Sequence, residues 1–248
     1  MAYVKRIIEG GNVRIVRKHF STRYGRRGVP RGMKINPTPE KQKERNKRRA
    51  EEYQSMFIPA NFDIGDYYFT LTYSTDNRPS EFKEAHGNMT KYLHKVQRIM
   101  KRNGVVIKIF AKTEMTPTGS FHHHIIMSGG ISMGILWDKW VFGNIKDFQK
   151  IYSIDDMKLA NYIVKGEGAK HKVAAGKIFK TKNLVKPRVE TEIVKSSSWT
   201  PNPKDTKDYN VVIDSVYDYD DIYTGFPAQF YIMVKKPEYR EQSYGGST

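Results

Sequence analysis

The middle of the chain, residues 62–195, alternates strand-like and helix-like patterns of apolar and polar residues. Aromatic and β-branched runs predict the strands, and apolar side chains repeating every three to four positions predict the helices. The strands expected on this pattern span 66–73, 105–114 and 121–127, and the helices span 79–102, with Ser80 as N-cap, and 153–165. The last two strands are expected to pair as a hairpin, because the turn-forming sequence Thr116-Pro117-Thr118-Gly119 joins them.

The two ends of the chain differ from this middle zone in charge. Residues 14–50 hold 14 Lys or Arg and two acids, and residues 38–53 have the pattern of a highly charged helix with Pro39 in its first turn. We interpret this zone as a basic arm that contacts DNA phosphates, with a solvated charged helix as the alternative. Residues 201–223 hold six Asp and two Lys among tyrosines, and 226–234 are strand-like. This tail indicates little about function.

Composition favours a nucleic-acid partner. The formal net charge is +17, and Lys and Arg side chains that neutralise phosphates gain free energy from the release of counterions. A basic protein without such a partner is the alternative. Apolar residues make up 38% of the chain, which is enough for a core of ordinary size.

Several classes of protein and site are excluded. The chain has no cysteine, which excludes disulfides, thiolate zinc sites and a cysteine nucleophile. The chain start is too polar for a signal peptide, and a run of about 18 apolar residues is absent, so we expect a cytoplasmic protein without a membrane partner. The chain also has no P-loop sequence. Unwinding of duplex DNA would therefore need a host helicase.

A run of histidines on the third expected strand is the first candidate for chemistry. Because side chains alternate along a strand, His122 and His124 share one face and His123 takes the other. Their rings, about 7 Å apart at the backbone, can converge on one cation. Glu114, eight residues upstream across the hairpin, is a candidate third ligand. Two neutral imidazoles and a carboxylate suit Mg²⁺ or Mn²⁺ acting on a phosphate; an exposed polar strand end and a surface glutamate are the alternatives.

A tyrosine and a lysine on the second expected helix are the next candidates. Tyr162 and Lys165 lie on the polar stripe of residues 153–165, opposite the apolar stripe. A phenol can act as a covalent nucleophile when its oxygen faces a phosphate polarised by a metal and a nearby cation. Tyr-x-x-Lys by itself carries no specific signal in a chain with sixteen tyrosines.

Taken in order, three segments resemble the motifs of the Rep family of HUH (His-hydrophobic-His) endonucleases, the rolling-circle replication initiators of phages and small plasmids. The segments are Phe69-Thr70-Leu71-Thr72-Tyr73, His122-His123-His124 and Tyr162-Ile163-Val164-Lys165, and the resemblance covers residues 62–190. It implies an α+β fold with a central antiparallel sheet and flanking helices in the ferredoxin-like (RRM-like) arrangement, with a basic N-terminal arm and a small C-terminal extension added to it.

The resemblance also implies roles for individual residues. His122 and His124 would hold the metal, with Glu114 as a looser match to a third acidic ligand. Tyr162 matches the nucleophile and Lys165 the accompanying lysine. The sequence carries one tyrosine at this motif, which implies a single-tyrosine enzyme.

One residue departs from the family pattern. His123 occupies a position that is usually a bulky hydrophobic residue. It is expected either to be satisfied inside the sheet or to lie at a partly open face. A register that makes His123 the ligand would place it beside Phe121 and Ile125, a poorer setting for a cation.

We expect three parts in the chain: a basic arm (1–60), an endonuclease domain (61–195) and an acidic, aromatic extension (196–248) that either forms its own lobe or packs on the same domain. The residues expected to contact DNA are Arg23, Arg26, Arg27, Arg31, Lys47, Arg48 and Arg49.

The function implied by the resemblance is nicking of single-stranded origin DNA to start rolling-circle replication, with a host polymerase extending the free 3′-OH. A plasmid-mobilisation relaxase or a single-tyrosine transposase would use the same chemistry. A non-catalytic protein that binds single-stranded nucleic acid, with aromatic side chains stacking on bases, is the alternative of another class.

Overall fold

The structure, a computed structural model, describes residues 3–20, 40–116, 118–151, 178–194, 201–221 and 225–240. The chain divides into one unit made of residues 1–56 and 187–248 and another made of residues 57–186. None of the helices in the described ranges is both long and apolar enough to cross a membrane.

The strands of the described residues are β1 (Tyr3–Gly10), β2 (Val13–Phe20), β3 (Tyr67–Thr72), β4 (Ile109–Met115), β5 (Phe121–Met127), β6 (Ile145–Lys150), β7 (Ile178–Lys180), β8 (Arg188–Val194), β9 (Tyr209–Asp220) and β10 (Pro227–Lys235). The helices are α1 (Glu40–Ser55), α2 (Phe57–Asn61), α3 (Phe82–Arg102) and α4 (Met133–Lys139), with short 3-10 turns at Thr75–Asn77 and Pro237–Tyr239.

The unit of residues 57–186 contains an antiparallel five-stranded sheet in the order β6-β3-β5-β4-β7. Helix α3 packs its apolar stripe on one face of this sheet, where Met89, Leu93 and Val96 are fully buried. The α4 side chain of Leu136 and the neighbouring Trp140 close the same core. The prediction of an α+β fold with an antiparallel sheet and flanking helices is therefore confirmed.

Two element boundaries differ from the sequence pattern for local reasons. Strand β4 begins at Ile109, since it pairs with β5 and Ile109 faces the last residue of that strand, Met127. The N-cap of α3 is Glu81 and makes no side-chain cap hydrogen bond. The expectation that Ser80 caps this helix was wrong: its backbone N–H instead donates to the Glu84 carboxylate at 3.1 Å.

A glycine allows the end of β3 to pack closely against the segment before β6. A Cβ on Gly143 would lie 2.2 Å from the carbonyl oxygen of Thr72 and 2.7 Å from the backbone nitrogen of Ser74. Both atoms belong to the backbone, so neither can move aside as a flexible side chain would. The close approach keeps the end of β3 paired, with the Thr72 N–H donating to Asn144 O at 2.9 Å.

We expect Gly143→Ala to destabilise the protein by about 2–4 kcal/mol, since the added methyl group forces the backbone apart. Gly87→Ala is the matched control, because a Cβ there would meet nothing within 4 Å. Gly87 lies inside α3, where Ala gains up to about 1 kcal/mol over Gly. Urea unfolding of the two variants measures both changes, and equal stability of the two would contradict the prediction.

The unit of residues 1–56 and 187–248 contains a second antiparallel sheet, in the order β8-β1-β2-β10-β9. Helix α1 covers one face of this sheet, where the backbone of Met56 approaches Gly10 so closely that a Cβ would lie 2.3 Å from the Met56 carbonyl oxygen. The opposite face has a small apolar cluster that includes Ile7, Val16 and Tyr231. The expected helix at 38–53 and strand at 226–234 correspond to α1 and β10.

The expected helix at 153–165 and the Gly- and Arg-rich stretch around residues 23–32 lie outside the described residues. The division of the chain into arm, endonuclease domain and extension stays a prediction.

Candidate metal centre

The face of the first sheet opposite α3 carries the candidate metal ligands. Strand β5 directs Ile125 and Met127 into the core and His122 and His124 to the other face. The register of the β4–β5 hairpin places Glu114 directly opposite His122. A tight turn fixes this register: the Gly119 N–H donates to Thr116 O at 2.9 Å, and Gly119 has φ +81°.

The three side chains converge closely enough to share one ion. The Nε2 atoms of His122 and His124 are 2.9 Å apart, and Glu114 Oε2 lies 3.6 and 3.4 Å from them. These three atoms lie on a circle with a radius of about 1.9 Å, close to the metal–nitrogen distances found in proteins. Two imidazole nitrogens that face each other and one carboxylate oxygen are a donor set that fits a divalent cation.

The ring of His124 is held by partners behind it. Its Nδ1 lies 3.0 Å from the Tyr68 hydroxyl and 3.3 Å from Thr70 Oγ1, both on β3. A ring that offers its Nε2 lone pair to a metal must carry its hydrogen on Nδ1, and either oxygen can accept that hydrogen. Tyr68 and Thr70 therefore fix the orientation of His124 for binding through Nε2.

Burial and charge keep the site in the protonation state that binds cations. Burial by itself would raise the pKa of the Glu114 carboxyl, but hydrogen bonds with His122, His124 and Lys112 outweigh burial and hold that pKa well below its usual range. Burial lowers the pKa of the His124 imidazole, although Glu114 opposes the shift. Glu114 is thus ionised and His124 neutral at neutral pH, as metal ligands must be.

The histidine that departs from the family pattern is satisfied inside the core. His123 is 0% exposed, and its Nδ1 and Nε2 each lie 2.9 Å from a hydroxyl, those of Thr113 and Tyr73. Burial holds the pKa of His123 well below its usual range, so the ring stays neutral. His123 fills the space of a hydrophobic residue without leaving a buried polar atom unpaired.

His122 opens toward a groove of about 270 Å³ on the same face. The groove is lined by Thr70, Thr72, Tyr73, Arg78, Thr116, Ser120, Phe121, His122, His124 and Asp147. Asp147 lies where two residues of β6 face a single residue of β3, and it has the left-handed φ of +53°. Such a β-bulge redirects a side chain, and here it brings a carboxylate to the groove beside the two histidines.

The other predicted site residues divide into two groups. Tyr162, Lys165 and the four arginines of residues 23–31 lie outside the described residues. The second group lies on α1: Lys47 is exposed and 4.0 Å from Glu51, whereas Arg48 and Arg49 are half-buried and face the second sheet.

Three residues at the site were missed by the sequence analysis. Lys112 is buried and places its Nζ 2.5 Å from Glu114 Oε1; its position two residues before Glu114 puts it on the same strand face, which was a usable signal. The same alternation could have identified Tyr68, which shares its face with Thr70. Asp147 gave no signal, because its bulge depends on pairing between β6 and β3.

Comparison with known proteins gives one match. Residues 66–169 match a family of phage and plasmid type described as Replication-associated protein ORF2. This segment contains the whole Glu114, His122 and His124 cluster as well as Tyr162 and Lys165. The match supports a replication initiator family and a role in the initiation of replication. Curated proteins and solved structures gave no significant match.

Proposed function

We propose that this protein is a single-tyrosine HUH endonuclease that nicks single-stranded DNA at a replication origin to start rolling-circle replication. The observation that carries the proposal is the convergence of Glu114, His122 and His124 beside an open groove, within a segment that matches a replication-associated family. The fold places these donors on rigid, paired strands, which is how metal-assisted phosphoryl transfer sites hold their geometry.

His122, His124 and Glu114 would hold Mg²⁺ or Mn²⁺, which when bound polarises the scissile phosphate. Tyr68 and Thr70 orient His124, and Lys112 lies next to Glu114. We propose that the lysine keeps the buried carboxylate ionised when no cation is bound, since the net charge of the Lys112–Glu114 pair is zero.

The proposed chemistry is a transfer of one phosphodiester bond. The phenolic oxygen of Tyr162 attacks the phosphorus and loses its proton, the bond from phosphorus to the 3′-oxygen breaks, and that oxygen takes up a proton. The products are a 5′-phosphotyrosine and a free 3′-OH, which a host polymerase can extend. Lys165 offsets the negative charge that develops on the phosphate. Attack by a 3′-OH reverses the step and rejoins the strand without an external source of energy.

Binding of the DNA strand is assigned to the basic arm. We propose that Arg23, Arg26, Arg27, Arg31, Lys47, Arg48 and Arg49 contact phosphates, and that a host helicase opens the duplex in the cytoplasm. The density of positive charge in residues 14–50 supports this assignment.

A labelled oligonucleotide assay tests the proposal. The protein is mixed with single-stranded DNA tiled across the replicon that encodes it, with Mn²⁺ present, and covalent adducts are separated under denaturing conditions. We expect an adduct with one origin segment and a released fragment that ends in a 3′-OH. Binding without any adduct would favour the non-catalytic nucleic-acid-binding alternative.

We expect Tyr68→Phe to weaken Mn²⁺ binding about tenfold, since loss of an outer-sphere partner of a ligand histidine costs roughly 10- to 100-fold in affinity and Thr70 can still accept from the ring. Tyr67→Phe is a matched control: its hydroxyl donates to Ile131 O at 3.1 Å on the opposite face of the same strand. Titration calorimetry with Mn²⁺ compares the two variants. Equal affinities would show that the Tyr68 hydroxyl does not position His124.

A further inference from the structure

The contact between α1 and the second sheet is built from charged side chains instead of apolar ones. Four α1 residues at helical spacing face the sheet: Arg45, Arg48, Arg49 and Glu52. The strands opposite contribute Arg6, Arg17 and His19. Such positions at i, i+3, i+4 and i+7 normally carry the apolar stripe of a helix. We call Arg6, Arg17, His19, Arg45, Arg48 and Arg49 the arginine cluster.

Two carboxylates serve the five guanidinium groups of the arginine cluster. Glu52 pairs with Arg17 and lies 4.0 Å from Arg6. Asp221 lies 3.8 Å from Arg45 and 3.7 Å from Arg48. Among the described residues no carboxylate pairs with Arg49, so the cluster holds an uncompensated positive charge in a partly buried place.

The cluster also holds hydrogen-bond donors without acceptors. Arg49 can only donate, so the 2.9 Å contact of its guanidinium makes His19 Nε2 the acceptor and leaves the hydrogen of His19 on Nδ1. His19 is 5% exposed, and this Nδ1–H has no partner among the described residues. The same holds for the Nε–H groups of Arg17, Arg48 and Arg49. Unpaired buried donors cost free energy.

Both features indicate a missing group with several acceptor oxygens and negative charge. Burial, then Arg45, Arg6 and Arg17, lower the pKa of the Arg49 guanidinium to about 10, so the neighbouring positive charges are not offset locally. A phosphate supplies oxygens that match the planar fork of arginine.

We propose that the arginine cluster is a binding site for a phosphate group, with Arg49 and His19 as its central donors. The phosphate chemistry does not depend on the nicking activity proposed above, whereas a DNA backbone as its source does rest on that function. Inorganic phosphate and single-stranded DNA carry the same group, and separate experiments distinguish them.

Thermal unfolding in inorganic phosphate, compared with chloride at matched ionic strength, tests the site. We expect millimolar phosphate to raise the Tm of the wild-type protein by about 3 °C through linkage and to leave the Tm of Arg49→Gln unchanged. In chloride, Arg49→Gln is expected to be at least as stable as the wild type, because the change removes an unpaired charge. Arg102→Gln, at an exposed position of α3, is the matched control and should respond as the wild type does.

Equal responses of wild type and Arg49→Gln, or no response of the wild type, would overturn the proposal. If Arg49→Gln does not fold, Arg49→Lys serves in its place, since it keeps the charge but lacks the planar fork and is expected to lose most of the phosphate response.

An oligonucleotide experiment identifies the source of the phosphate. It uses a Tyr162→Phe background, so that cleavage cannot affect the result. If the site takes a phosphodiester, an unlabelled thymidine oligonucleotide should cancel the additional effect of phosphate, and Arg49→Gln should weaken oligonucleotide binding severalfold. If the oligonucleotide leaves the phosphate effect intact, the site takes free phosphate.

Discussion

We expect Tyr162→Phe to abolish the covalent protein–DNA adduct while leaving binding of single-stranded DNA intact. The change removes one oxygen, which is the atom that would form the bond to phosphorus, and keeps the ring. Loss of a nucleophile typically lowers the rate by a factor on the order of 10³ or more. Adduct formation on a gel and DNA binding by fluorescence anisotropy measure the two effects separately.

Tyr152→Phe is the matched control for this experiment, since Tyr152 lies ten residues upstream in the same matched segment. We expect it to form the adduct at the wild-type rate. An adduct that persists in Tyr162→Phe and disappears in Tyr152→Phe would contradict the assignment of the nucleophile. Loss of DNA binding along with the adduct would show that Tyr162 acts in binding.

The second large effect is expected from His124→Ala. His124 contributes one of three converging donor atoms and is 2% exposed, so water cannot easily replace its ring at the same place. We expect Mn²⁺ affinity to fall by more than about a hundredfold, beyond the cost of losing an outer partner. Cleavage should be lost with it, whereas salt-sensitive DNA binding should remain.

Calorimetric titration with Mn²⁺ measures the affinity without any DNA, so the result does not depend on finding the origin. His94→Ala, an exposed histidine of α3, is the matched control and should bind Mn²⁺ as the wild type does. Retention of Mn²⁺ affinity in His124→Ala would remove the metal centre from the proposal. Loss of Mn²⁺ binding with unchanged cleavage would separate the metal from the chemistry.

Much of the metal centre could be predicted from local sequence rules. Alternation along β5 separates His122 and His124 from His123, and a short turn makes β4 and β5 a hairpin. The hairpin register then brings Glu114 opposite His122, which is why a carboxylate eight residues upstream could be named at all. Each step depends only on residues close together in the chain.

Other parts of the site depend on contacts between distant segments. The partner of His124, Tyr68, is 56 residues away in the chain and reaches the ring because β3 pairs with β5. The bulge that turns Asp147 toward the groove arises where β6 pairs with β3. Neither strand carries a pattern that specifies its neighbour.

The arginine cluster shows the same limit most clearly. In the sequence, residues 38–53 indicated a charged helix, and the two interpretations were a solvated surface and a contact to DNA. The structure buries Arg45 and Glu52 of that helix against the second sheet. That sheet joins β1 and β2 near the start of the chain with β8, β9 and β10 near its end, a pairing that charge patterning alone does not reveal.

The sequence by itself determined the strands, the long helix α3, the β4–β5 hairpin and the face on which His122 and His124 lie. These follow from side-chain periodicity and turn chemistry, which act within about ten residues of the chain. The tertiary structure decided which strands are neighbours, which groups hold His124 and Glu114 in place, and which arginines lack an anionic partner. Those outcomes depend on burial and on pairing between remote segments, because the energy of a polar group depends on its surroundings in space.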